Sequence, residues 1–184
     1  MRLVVTTTLA MALWSPSADG TVVMKLDRAK MVELSALVVH ARVGTQRTIE
    51  ERPGALTTLI DLEVIDVFKG KIAQGTGITL MQMGGTKGDF IQSIPGTSHF
   101  STGEEVVVFL AAFQGRYVQV GVGLGRFLIK RSPAGVLAVE EFGDVAFASP
   151  GKDGVIRPGE APKAARLPLA RLAAEVRRYV GTSR

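Results

Sequence analysis

The chain has 184 residues, 46% hydrophobic and 21% charged, and contains no cysteine, which allows one buried core and excludes disulfides and thiolate metal sites. Its formal charge of +5 is uneven: residues 152–184 hold eight Lys/Arg against three Asp/Glu, whereas residues 19–151 hold thirteen against fourteen. The main body is therefore neutral, which argues against an electrostatic nucleic-acid face on it.

The N-terminus reads as a secretory signal over residues 1–18. Met1-Arg2 carries one positive charge, Leu3 to Trp14 is an uncharged and mostly apolar run, and Ser15-Pro16-Ser17-Ala18 supplies small residues for cleavage. The run is shorter than the roughly 20 apolar residues a spanning helix needs, so no transmembrane segment is expected in the mature chain. The competing reading is a buried N-terminal strand, because Val4 to Thr8 is β-prone. Cleavage near Ala18 would remove the one tryptophan, Trp14. An exported domain of this size without disulfides points to a bacterium, in the periplasm or outside the cell. The sequence also lacks asparagine, so N-glycosylation is excluded.

Residues 19–147 are expected to form one β domain. Asp27 is placed to cap a short helix reaching about Ser35. Ala36 to Val43 reads as a strand that breaks at Gly44, and the polar stretch 46–55 ends in the turn signal Arg52-Pro53-Gly54. Leu56 to Phe68 is the clearest strand, and its alternation slips at Ile65 and at Val67-Phe68, as a bulge would produce. Gly77 to Met83 is the next strand. Residues 84–104 make a long glycine-rich connection of the kind that is often functional. Glu105 to Phe113 is nearly continuous in apolar residues and reads as a central strand buried on both faces. Short strands follow at Arg116 to Val122, Arg126 to Lys130 and Val136 to Glu140, separated by glycine turns. Residues 148–184 read as a Pro/Gly/Lys-rich linker (148–166) and a terminal helix. The helix starts at Pro168, runs to about Val180, and ends at Gly181. Its residues Leu169, Leu172, Ala173, Val176 and Val180 share one face, opposite Arg171, Glu175 and Arg178.

No catalytic constellation emerges. Gly121-Val122-Gly123-Leu124-Gly125-Arg126 superficially matches a dinucleotide loop, but strand rather than helix follows it, so a β-turn is the better reading. Neither GxSxG nor HExxH occurs. His40 reads as a strand residue at the core edge or surface. Asp61, Glu63 and Asp66 read as a solvated strand face. His99, near Glu104 and Glu105, is the one place for an unrecognised hydrolase site. Phe68, Phe109, Phe113 and Phe127 sit in apolar contexts and read as core, leaving few aromatics to stack on nucleic-acid bases.

The runs ALVVHARV (36–43), LIDLEVIDVFKGK (59–71), PGTSHFSTGEEVVVFL (95–110) and GRYVQVGVGLGRFLI (115–129) resemble a known layout. It is that of the OB-type barrel of netrin-like modules and of the N-terminal domain of tissue inhibitors of metalloproteinases, with a similar pattern in uncharacterised secreted bacterial proteins. Phe68-Lys69-Gly70 and the strand Gly103 to Phe109 carry the resemblance most specifically. It implies a small all-β, OB-like barrel, closed or partly open. The inhibitors' N-terminal cysteine has no counterpart here, so their mechanism does not transfer.

The expected protein is thus an all-β barrel with a short N-terminal helix and a C-terminal amphipathic helix. Its expected role is a secreted or periplasmic, non-enzymatic binding module without metal or cofactor. It would dock a protein partner through loops at the barrel mouth, using Phe90, Ile91, Ile94 and His99. The competing account of the loop is a compact Ω-loop whose apolar residues pack inward. Two different roles stay open beside docking. One is a hydrolase using His99 with Glu104 or Glu105; the other is an envelope component whose basic helix makes weak contact with anionic surfaces.

Overall fold

A computed structural model describes residues 22–24, 26–142, 145–151, 153 and 155–182. The segment 1–18, expected as a signal peptide and containing Trp14, lies outside the described residues. The elements in chain order are β1 (Val22–Met24), α1 (Arg28–Leu34), β2 (Leu37–Arg52), β3 (Ala55–Lys69), β4 (Gly77–Met83), β5 (Gly85–Lys87) and β6 (Phe90–Gln92). They continue with β7 (Glu105–Phe113), β8 (Arg116–Gln119), β9 (Arg126–Ser132), β10 (Gly135–Glu141), β11 (Ala146–Pro150), β12 (Ile156–Gly159), β13 (Arg166–Pro168) and α2 (Leu169–Thr182). The protein is mostly β, with one short helix near the N-terminus and one helix at the C-terminus. No helix among the described residues is long and apolar enough to cross a membrane.

The main sheet has the order β13-β10-β9-β7-β2-β3-β4-β8. It curls back on itself because β8 pairs with both β4 and β7. Along one edge β7 pairs with β2; along the other it pairs first with β9, at Val106 to Val108, and then with β8, at Leu110 to Phe113. The return contact between β4 and β8 is a single parallel pair, Leu80 with Tyr117. The sheet is thus partly ring-like, with β9, β10 and β13 branching from β7.

This curvature sorts alternate side chains into two cores. Leu37, Val39, Ala41 and Val43 of β2, Ile60, Leu62 and Val64 of β3, and Val106, Val108 and Leu110 of β7 form one cluster. Val38, Val107 and Phe109 belong to the other, where they meet Met31 and Val32 of α1 and Leu172, Ala173 and Val176 of α2. Strand β7 feeds both clusters, which is why its sequence is continuously apolar rather than alternating. Burial of each large side chain contributes about 1.5–3 kcal/mol, so this doubly packed strand ties the two clusters together.

The slips expected in the long strand coincide with register shifts. Val38 pairs with Lys69 and Val39 with Val67, leaving Phe68 extra; His40 pairs with Asp66 and Ala41 with Val64, leaving Ile65 extra. Extra residues strengthen the local twist, which bends the β2–β3 ribbon. The Phe68-Lys69-Gly70 segment has a physical account as well. Lys69 Nζ donates to the carbonyl oxygens of Val32 (2.5 Å) and Glu33 (3.4 Å), which closes the end of α1 against β3. Gly70 has φ +107°, and a Cβ there would lie 2.2 Å from Leu37 Cδ2.

Four expectations change. Strand β2 does not break at Gly44 but runs on to Arg52, because residues 44 and 45 form a bulge opposite Asp61 and the ladder resumes at Gln46 with Ile60. Val43 keeps its backbone partners there through the carbonyl of Glu104 (2.9 Å) and the N–H of Gly103 (2.7 Å). Phe113 is 46% exposed rather than core, since the end of β7 extends beyond the packed layers. Residues expected as linker contain β12, which pairs with β11, and Glu140 N–H bonds the carbonyl of Ala165 (2.8 Å). Helix α2 passes through Gly181 and ends at Thr182, whose hydroxyl donates to Arg178 O (2.9 Å).

Candidate functional site

The connection 84–104 splits into two parts with opposite surroundings. Its first part is the small β5–β6 hairpin, with Thr86 opposite Ile91 and Lys87 opposite Phe90. The hairpin sits against the outer half of the β2–β3 ribbon because glycine permits it. A Cβ on Gly85 (φ +139°) would lie 2.3 Å from Thr58 Oγ1 and 2.6 Å from Thr48 Oγ1. Polar bonds fix the base: Gly84 N–H donates to Leu56 O (2.8 Å), Leu56 N–H to Gln92 Oε1 (2.8 Å), and Thr58 hydroxyl to Gly84 O (2.8 Å). Lys87 bridges to Glu50 (2.9 Å), and that bond, with the Gly54 N–H, holds the Glu50 carboxyl below its ordinary pKa.

The hairpin leaves Phe90 52% exposed and Ile91 71% exposed, and Met83, two residues before it, is 62% exposed. Single exposed apolar residues are common on protein surfaces, but three large ones within nine positions are a concentration. Ile94 behaves differently: it is half-buried and turned toward the hairpin base, its Cγ1 lying 3.1 Å from where a Gly84 Cβ would be. Met83 escapes a reading of the sequence because it closes a regular strand and looks there like one more core position.

The second part, residues 97–104, is sewn into the sheet. Phe100 and Ser98 are buried; Gln46 donates to Phe100 O (2.7 Å), and the Thr102 hydroxyl donates to Gly44 O (2.9 Å). This part walls a cleft whose opposite side is Arg126 and Leu128 of β9 and Glu141 and Phe142 at the end of β10. Arg126 is 5% exposed and lies over the ring of Phe100, 5.0 Å from its centroid. Its Nη2 donates to Glu104 (2.6 Å), and its Nη1 donates to Glu141. Glu104 also accepts the Ser101 N–H (2.8 Å).

His99 is exposed and opens onto this cleft together with Glu104. It is not grouped with Phe90 and Ile91. Among the described residues no hydrogen bond joins His99 to Ser98 or Glu104, and the Ser98 hydroxyl accepts from Gln119 (2.9 Å). The hydroxyl–imidazole contact used in nucleophilic hydrolysis is therefore not formed between Ser98 and His99. Glu105 lies outside the cleft lining and belongs to a separate cluster. Its carboxylate accepts from His40 Nε2 (2.9 Å), Arg42 (3.3 Å) and Arg131 (2.6 Å). Burial lowers the pKa of His40 despite its acidic partner, so Nε2 donates as a neutral imidazole at neutral pH. Burial opposes ionisation of Glu105 too, but its three donors outweigh it and lower its pKa.

The remaining acidic residues have structural partners or face solvent. Asp61 accepts from Thr45 (2.6 Å) and Thr79 (3.3 Å), Asp66 from Arg177 (3.2 Å), and Glu63 is exposed. The Gly121–Arg126 segment is a tight turn leading into β9, closed by Leu124 N–H to Gly121 O (3.1 Å). Among the described residues, no group of three or more His, Asp or Glu side chains is placed to hold a metal ion. Comparison of the chain with protein-family models, with curated proteins and with solved structures gives no match in any of the three.

Proposed function

We propose that this protein is an exported binding module of a bacterial envelope or secretome that docks a protein partner through the β5–β6 hairpin. The observation that carries the reading is the exposure of Phe90 and Ile91 on a hairpin whose base is fixed by hydrogen bonds and by the Gly85 contact. An apolar tip on a rigid base presents contact area at little ordering cost, which is how binding anchors work. Burial of the two side chains on a partner would contribute about 1.5–3 kcal/mol each. Inward packing, as in an Ω-loop, fits Ile94 better than it fits these two.

The scaffold reading is an OB-type barrel of the netrin-like kind. Its support is the closed run of pairings among β2, β3, β4, β8 and β7, five strands with one parallel contact, together with the bulged second strand. The inhibitors' mechanism, which works through an N-terminal cysteine, does not carry over to a chain without cysteine. The basic helix α2 buries its apolar face in the core and turns Arg171 and Arg178 outward, so any contact with anionic surfaces is secondary.

The test is a photo-crosslinking amino acid placed at position 91 in the exporting cell, with the same residue at position 113 as control. A discrete light-dependent adduct from position 91 and none from position 113 is expected. No adduct from position 91 in a folded, exported protein would overturn the reading.

A further inference from the structure

The cleft beside residues 97–104 is chemically different from the hairpin tip. We infer that it binds a neutral polyhydroxylated ligand of the saccharide class. The cleft encloses about 570 Å³, within the size range of small-ligand sites. It is also built rather than incidental: Arg126, with 6% of its side chain exposed, is held over Phe100 and bridges Glu104 and Glu141. Among the described residues its buried Nε–H has no partner. Orphaned polar atoms of this kind are costly, and they mark a place where hydrogen-bonding capacity exceeds what the fold uses.

Charge decides the ligand class. A free anion would face the carboxylates of Glu104 and Glu141, and a cation would have to compete with Arg126 for the same oxygens. A metal lacks a third ligand among the described residues. What the arrangement leaves available is hydrogen bonding without a demand for net charge. Each carboxylate has lone pairs beyond the one used by Arg126. The Ser98 hydroxyl, which accepts from Gln119, keeps its own proton to donate. The exposed His99 and the Ser101 hydroxyl add a donor and acceptors at the rim. Hydroxyl groups both donate and accept, so they satisfy such a mixed set where an ion does not. Leu128 and Phe142 supply an apolar wall for the C–H face of a sugar ring. The half-buried Phe142 is steadied by an edge contact on Phe147, with ring centroids 5.2 Å apart.

The site is tested by following backbone amide resonances of the mature protein while adding four probes separately. These are N-acetylglucosamine, its tetramer, inorganic phosphate and cadaverine. Saturable shifts confined to residues 98–104 and 126–142 are expected with the sugars at millimolar concentration. A stronger response to the tetramer would identify a polymer as the source, and a response equal to the monomer's a free sugar. The double variant His99→Ala/Ser101→Ala removes two exposed side chains and leaves the Arg126 bridge. It is expected to weaken sugar binding roughly tenfold while the amide spectrum elsewhere stays unchanged. Failure of both sugars to shift these residues overturns the inference, as does saturable binding of phosphate or cadaverine there. Unchanged sugar affinity in the double variant overturns the site's placement.

Discussion

The two parts of the 84–104 connection are similar in composition and opposite in use. Residues 85–92 fold into a hairpin that turns Phe90 and Ile91 to solvent, whereas residues 97–104 bury Phe100 and Ser98 and borrow the edge of β2 for their backbone bonds. The difference lies in what each part meets. The hairpin rests on a polar threonine pair, Thr48 and Thr58 with hydroxyl oxygens 3.2 Å apart, which gives an apolar side chain nothing to pack against. The later part passes the start of β7 and β9, where Leu128 and the rest of the ring core accept Phe100. The same glycine-rich chain is pushed outward over a polar surface and drawn inward over an apolar one.

The largest test of this contrast removes the inward anchor. Phe100→Ala deletes a ring from the core cluster and the surface on which Arg126 lies, and is expected to cost about 3–5 kcal/mol in chemical denaturation. A loss below about 1 kcal/mol would mean that residues 97–104 are no better anchored than the hairpin. Next, Gly85→Val should cost about 2 kcal/mol, from a φ of +139° and from the clash with Thr48 and Thr58. In amide exchange its effect should be concentrated in residues 84–92. Loss of protection spread evenly over the sheet would contradict an independently seated hairpin.

A smaller effect follows from the cluster at the start of β7. The folded-state pKa of His40 lies below its ordinary 6.5, so as pH falls through that region the unfolded chain binds a proton that the folded chain resists. Stability therefore declines as pH falls through and below the ordinary imidazole range. The contribution of Glu105, whose folded pKa lies below 4.5, is complete above that value and is lost only as pH falls through the lower folded one. Denaturation midpoints measured from neutral to mildly acidic pH should fall in the parent and be flatter in His40→Gln. Equal slopes would remove His40 as the cause. Smaller still, Thr102→Val deletes one exposed hydrogen bond to Gly44 and should cost about 1 kcal/mol or less, read from the same denaturation curves.

Much of the scaffold is legible in the sequence because its signals are local and physical. Asp27 caps α1 as its side-chain chemistry dictates, the two slips after Val64 mark the bulges at Ile65 and Phe68, and the unbroken apolar run of β7 marks a strand packed on both faces. Gly44 misleads because a glycine that ends a strand and one that absorbs a bulge look alike in one dimension. Phe113 misleads for a related reason: it still pairs with Arg116 of β8, but the packed layers end before it, and where they end depends on distant elements.

The candidate surfaces divide in the same way. Phe90 and Ile91 are legible as apolar residues among glycines, while Ile94 requires knowledge of Gly84's position. His99 is legible as a polar loop residue beside Glu104. Arg126 and Glu141 are not, because they sit at opposite ends of a β9–β10 hairpin and meet only when it pairs. An arginine at the first position of an apolar strand, Arg126 before Phe127-Leu128-Ile129, is the one signal in the sequence that points to them.

If the hairpin tip is spare apolar surface kept for a partner, removing its side chains weakens binding and leaves the fold intact. The most direct measurement pairs the double variant Phe90→Ser/Ile91→Ser with the partner captured by crosslinking at position 91. Unfolding stability within about 0.5 kcal/mol of the parent and at least about a tenfold loss of partner affinity are expected. Unchanged affinity, or a stability loss of about 2 kcal/mol or more, would contradict this docking role, the second outcome because it would mean that these side chains belong to the fold.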